Sequence, residues 1–230
     1  KHFRSDTNSN GSTGRSKIKQ MTEFIAHIGT DESGKGDFFG PLVIAGVLAD
    51  EKSAEYFKEL GIKDSKKLSD KKMLMLAKEI KKMAPHSIIA ISNSKYNELY
   101  ANIKNLNKLL AWGHARAIEN ILETNHCKYA LSDKFGDESL IQSALMKNGR
   151  EIHLEQMCKA ESDIAVAAAS VLARATFVEK MQAMEETYGL KFQKGCSELV
   201  KNVASEFIAK YGKERLKEVC KTHFKTYNEV

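Results

Sequence analysis

Apolar residues recur along this chain in two rhythms, one of short dense runs and one of helical spacing. Phe24-Ile25-Ala26-His27-Ile28-Gly29 and Pro41 to Leu48 (PLVIAGVL) are compact apolar runs, the pattern of buried strands. Pro41 suits a strand's first residue, and the short link between the runs predicts an antiparallel hairpin. Glu51 to Leu60 and Ser69 to Lys82 then mix apolar and charged residues as amphipathic helices do, with Ser69 as candidate N-cap. His86 to Ile91 reads as a third strand. From Lys95 to Glu123, Tyr96, Leu99, Tyr100, Ile103, Leu106 and Leu110 keep the three-to-four spacing of one long helix or two abutting ones. Lys128 to Leu131 and Glu151 to Leu154 are two further strands. Ile164 to Met184 is a helix whose alanine-rich face implies close packing. Two amphipathic helices, Ser197 to Lys210 and Glu214 to Cys220, close the chain. This order predicts an α/β fold: a mixed sheet flanked by helices, with additional C-terminal helices.

Residues 1–22 break both rhythms. Their Ser, Asn, Gly and Thr offer too little apolar surface to offset the entropy of ordering, so they read as a flexible linker or tail. Residues 23–230 form one domain, long enough and apolar enough, at 42% hydrophobic residues, to bury a core.

Charge and cysteines narrow the partners. With 36 Lys and Arg against 30 Asp and Glu, the net charge of +6 suits a polyanion without requiring one. Cys127, Cys158, Cys196 and Cys220 are widely spaced and form no CxxC pair, so neither zinc nor a disulfide framework is indicated; buried reduced thiols are expected. The apolar stretch Ile164–Ala173 is too short to cross a bilayer, and no signal sequence opens the chain; the expected compartment is the cytoplasm, with no membrane partner.

The chemistry concentrates at Gly29-Thr30-Asp31-Glu32-Ser33-Gly34-Lys35-Gly36-Asp37. Gly29 and Gly34-Lys35 have the spacing of a phosphate-cradling loop, but Asp31 and Glu32 inside it would repel phosphates. Gly36 stands where that motif needs Ser or Thr, and a strand follows instead of a helix. The alternative is a pair of carboxylates at a strand end, oxygen ligands for a hard cation such as Mg²⁺, beside glycines that let a sugar–phosphate chain approach closely. An acidic surface turn would look the same, so the pair alone decides nothing.

Other blocks decide more. The segment GTDESGKGDFFGPLVIAG, the block Asp64-Ser65-Lys66-Lys67-Leu68-Ser69 and the block Asn107-Lys108-Leu109-Leu110-Ala111-Trp112-Gly113-His114 resemble the type 2 ribonucleases H, and ribonuclease HIII more than ribonuclease HII. The resemblance runs from about Ile28 to Ala175. It implies a ribonuclease H-like fold and an endonuclease that cuts the RNA strand of RNA/DNA hybrids with two Mg²⁺ or Mn²⁺ ions, leaving 5′-phosphate and 3′-hydroxyl ends. Asp31, Glu32, Asp133 and Glu161 match the family's acidic ligands, Glu161 being preferred to Asp163, and Asp137 and Glu138 being weaker candidates. Gly34, Lys35 and Gly36 would read the 2′-hydroxyl, and Lys66 and Lys67 would engage phosphates. Ser162 is the expected N-cap of the following helix and Asp163 an ordinary acid at a helix start. His114 is expected to play a structural role and Trp112 to lie in the core. The family also carries an N-terminal substrate-binding domain, in whose place only residues 1–22 stand here. A monomer is expected. Competing readings are a ribonuclease HII-like enzyme that also incises at single ribonucleotides, and a non-catalytic RNA- or hybrid-binding module.

Overall fold

The computed structural model describes residues 23–230, apart from the side chains of Asp64, Ser65 and Lys66; the expected tail lies outside the described residues. Five strands form one sheet: β1 (His27–Ser33), β2 (Leu42–Ala49), β3 (His86–Ile91), β4 (Tyr129–Asp133) and β5 (His153–Met157). Their order is β3-β2-β1-β4-β5. The β1–β2 hairpin is antiparallel, as is β2–β3, whereas β4 joins β1, and β5 joins β4, in parallel. The expected mixed sheet is therefore present. Helices α1 (Glu51–Glu59), α2 (Asp70–Met83), α3 (Asn93–Ile103), α4 (Leu106–Leu122), α5 (Glu138–Ala144) and α6 (Ile164–Tyr188) flank it, followed by α7 (Glu198–Tyr211), α8 (Lys213–Leu216) and α9 (Lys225–Glu229).

Strand alternation assigns the two faces. Val43, Ala45 and Val47 of β2 pack with Ala168, Leu172 and Phe177 of α6, while Leu42 and Ile44 pack with Tyr96 of α3 and Leu109 and Leu110 of α4. Helix α6 is buried along most of its length, which is why its sequence shows apolar residues all round rather than a stripe.

Several boundaries differ from the sequence pattern for local reasons. β1 begins at His27 and runs on through Asp31 and Glu32, because both stay in the β2 ladder opposite Ala45 and Ile44. The stretch 95–123 is two helices, broken at Lys104, whose φ of 50° is left-handed, with Asn105 capping the second. The expected helix 214–220 is a single turn; Cys220 instead bridges Phe39. Asp137 caps α5, a helix too short to register as a period. The N-cap of α6 is Asp163, not Ser162: its carboxylate accepts from the N–H groups of Ala165 and Val166. The thiols are free but not uniformly buried, Cys158 and Cys196 being exposed.

Candidate active site

Asp31, Glu32 and Asp133 lie at the C-terminal ends of the neighbouring interior strands β1 and β4. The last registered β1–β4 pair is Thr30 with Ser132, and Asp31 and Asp133 are the next residues on the two parallel strands. Alternation points Asp31 and Asp133 toward α6, where the Ser170 hydroxyl bonds the Asp31 carboxylate. Asp133 Oδ1 accepts from Ala160 N at 2.9 Å, which ties the end of β4 to the 3₁₀ turn Ala160–Ser162 and so to Glu161. Lys159, at φ 56°, makes the left-handed turn that leads out of β5 into this segment.

Glu32 faces the other way. Its Oε2 lies 3.1 Å from His114 Nε2 on α4 and its Oε1 accepts from Lys35 Nζ at 2.7 Å. An ionised carboxylate only accepts, so His114 Nε2 donates; in the neutral ring Nδ1 then accepts from the Thr30 hydroxyl, 2.8 Å away. Phe135 stacks on the same imidazole at 4.8 Å. His114 is thus structural, as expected, but what it holds is a candidate ligand.

The two adjacent carboxylates are set far apart. Burial, then the charge of Glu32, pushes Asp31 up to about 6. Burial also acts upward on Glu32, but the bonds to His114 and Lys35 outweigh it and hold Glu32 down at about 2. Asp31 is thus a carboxylate short of positive charge, in an all-oxygen setting with Asp133 beside it. A divalent cation is the species that fits such a donor set. Among the described residues, no three His, Cys, Asp or Glu side chains close on a metal-binding distance; Asp31, Glu32 and Asp133 share neighbouring strand ends rather than a finished cage.

Comparison with known proteins shows the family. Residues 28–227 match the family model for ribonuclease HII. The chain is 43% identical over 208 residues to the ribonuclease HIII of Protochlamydia amoebophila, covering 90% of this chain and 69% of that protein. With the ribonuclease HIII of Chlamydia felis it shares 46% identity over 206 residues, at 88% and 69% coverage. The chain belongs to the ribonuclease HIII family. The crystal structure of Bst-RNase HIII in complex with Mn²⁺ superposes with a TM-score of 0.82 at 30% identity, covering 89% of this chain and 68% of that one.

The glycine turn after β1 is held by the C-terminal segment. Phe38 and Phe39 are fully buried, anchoring the turn in the core. Asp37 Oδ1 accepts from Gly195 N at 2.6 Å, and Phe38 N donates to Gly195 O. Lys221, fully buried, donates from Nζ to the carbonyls of Asp37 (2.8 Å) and Gly40 (2.6 Å), and burial pushes it down to about 7. It can donate in either protonation state. Gly34, at φ 87°, would place a Cβ 2.2 Å from Pro41 O, whereas a Cβ at Gly36 would meet nothing within 4 Å. Gly36 therefore presents bare, accessible backbone. Lys67 is exposed at the end of the 3₁₀ turn Ile62–Lys67; the side chain of Lys66 lies outside the described ones.

Sequence reasoning missed Ser170 and Lys221, and misplaced Trp112, which is 44% exposed. Ser170 had one signal, a hydroxyl in an alanine run. Lys221 had none. An expected consequence is testable: Lys221→Met strips donors from buried carbonyls, each loss costing roughly 1–3 kcal/mol. Amide exchange across residues 34–40 should accelerate about tenfold or more; unchanged protection would show that Lys221 does not hold the turn.

Proposed function

We propose that this chain is an endonuclease that hydrolyses the RNA strand of RNA/DNA hybrids, with Asp31, Glu32, Asp133 and Glu161 as its metal ligands. One observation carries the reading: Asp31 and Asp133 lie at neighbouring ends of parallel strands, and Asp133 is bonded to the turn that bears Glu161. That Bst-RNase HIII forms a complex with Mn²⁺ supports a divalent cation as the cofactor. Bound there, Mg²⁺ or Mn²⁺ would supply an acidified water and positive charge against the charge that develops on the phosphodiester.

The chain's own residues account for the rest. Ser170 orients the Asp31 carboxylate, and Asp31 Oδ1 accepts from Glu32 N at 2.8 Å. His114 and Lys35 keep Glu32 ionised at any working pH. The Gly34–Lys35–Gly36 backbone, exposed at Gly36, would test for a 2′-hydroxyl, the group that separates RNA from DNA. Lys35, half exposed, can exchange Glu32 for a phosphate oxygen. Among the described residues no helix is long and apolar enough to cross a membrane.

Two measurements test this. A labelled hybrid should be cut in Mg²⁺ or Mn²⁺ and left whole in EDTA, and single-stranded RNA should be spared. Metal binding must also displace the Asp31 proton below about pH 6. Mn²⁺ affinity by calorimetry is therefore expected to be flat above that pH and to fall about tenfold per unit below it. An affinity constant from pH 5 to 8 would remove Asp31 from the ligand set.

A further inference from the structure

We infer that the outer face of α4 is a second contact surface for the hybrid, carrying it beyond the cleavage position. Lys108, Trp112 and Arg116 succeed one another at intervals of four residues, so they line one face of the helix about one turn apart. All three are exposed, Trp112 at 44%. Some surface cations pair within a turn, as Lys82 does with Glu79 and Lys95 with Glu98, while others, such as Lys71, Lys72 and Lys78 of α2, are in no ion pair among the described residues. Among the described residues neither Lys108 nor Arg116 makes an ion pair.

The position of α4 gives this stripe its meaning. Asn107, beside Lys108, packs on Gly136, three residues past Asp133. His114, which holds Glu32, lies on the buried side of the same helix, opposite Trp112. The Lys108 end of the stripe is thus the one nearer the acidic strand ends, and Trp112 and Arg116 follow about one and two turns farther along the outer face. Two unpaired cations flanking an exposed indole are the chemistry of a nucleic-acid track: charge for phosphates, and a flat ring that packs on sugar or base without regard to sequence. A single ring between two charges is a poor apolar core for a protein interface. The inference rests on the nuclease reading above and names where the same substrate extends.

Trp112 is the sole tryptophan of the chain, so its fluorescence reports directly. In EDTA, where the hybrid binds uncut, adding hybrid should change the emission saturably, and less so as salt rises. Trp112→Ala, at an exposed position, should fold as the parent does and raise Kd and KM roughly fivefold or more. It should leave kcat at saturating hybrid unchanged, and Trp112→Phe should restore most of the affinity. Replacing both Lys108 and Arg116 by alanine should flatten the slope of log K against log salt by about 1.8, two phosphates' worth. Lys78→Ala, an exposed lysine on α2, serves as the control and should change neither quantity. Emission blind to hybrid, or unchanged Kd in Trp112→Ala, overturns the surface while cleavage by the parent chain still stands. Failure of the parent to cut hybrid in Mn²⁺ overturns the nuclease reading itself.

Discussion

Asp31→Asn is expected to abolish hybrid cleavage and, without metal, to leave a more stable protein than the parent. The loss follows from removing an anionic ligand among the acidic strand ends; roughly 10³-fold or more in kcat, about 4 kcal/mol, is the scale for such a group. The gain follows from Asp31 being pushed up to about 6, well above the ordinary carboxylate value of 3.8, by burial and by the charge of Glu32. The folded state therefore binds this proton more tightly than the unfolded state does. Stability falls as pH rises between about 4 and 6, and above 6 the full penalty of an ionised, buried carboxylate beside Glu32 is present. At ~1.4 kcal/mol per pKa unit the penalty is on the order of 1–3 kcal/mol. Asparagine keeps an Oδ1 to accept from Glu32 N, as Asp31 does at 2.8 Å. Thermal unfolding in EDTA should then put the variant above the parent at pH 8, with the gap closing by about pH 4. A variant that still cuts hybrid, or that melts below the parent at pH 8, would remove Asp31 from its assigned place.

How much of this could be seen in the sequence depended on distance along the chain. The strand ends were legible because Asp31 and Asp133 each close an apolar run, and the period of two sends neighbouring Asp31 and Glu32 to opposite faces. What waits on each face was not legible. His114 is 82 residues from Glu32, and Ser170 follows on a helix whose even burial hides any face. Trp112 was misread because an aromatic residue in an apolar helix is usually core. The buried positions of α4 are Leu109, Leu110, Ala111, Gly113, His114, Ala115, Ala117, Ile118, Glu119 and Ile121, and residue 112 is skipped by that broad face. Lys221 could not have been found at all. A lysine reads as solvent-exposed, and only the folded chain surrounds it with two carbonyl acceptors.

The glycines separate fold from function most sharply, and Gly29→Ala is the second large effect expected. A Cβ at Gly29 would lie 2.2 Å from both Ala165 C and Val166 N, backbone atoms in the first turn of α6. No rotamer relieves a backbone clash, so β1 and α6 must part. That first turn is also fixed by Asp163, which caps it and lies 3.0 Å from the buried His27 ring. Separation would disturb this cap and draw Ala160 away from Asp133, so the cost should exceed about 4 kcal/mol, the range reserved for such disruptions. Gly46→Ala meets only side-chain atoms, the nearest being the tip of Ile121 at 3.1 Å, and should cost far less. Gly36→Ala meets nothing and should leave unfolding within about 0.5 kcal/mol of the parent. Yet the added methyl would stand on the backbone proposed to read the 2′-hydroxyl, so KM for hybrid should rise although stability does not. Urea unfolding of the three variants, paired with hybrid kinetics, checks the ordering. If Gly29→Ala unfolded within 1 kcal/mol of Gly36→Ala, the close seat of α6 on β1, which steadies the bond from Ala160 to Asp133, would be wrong.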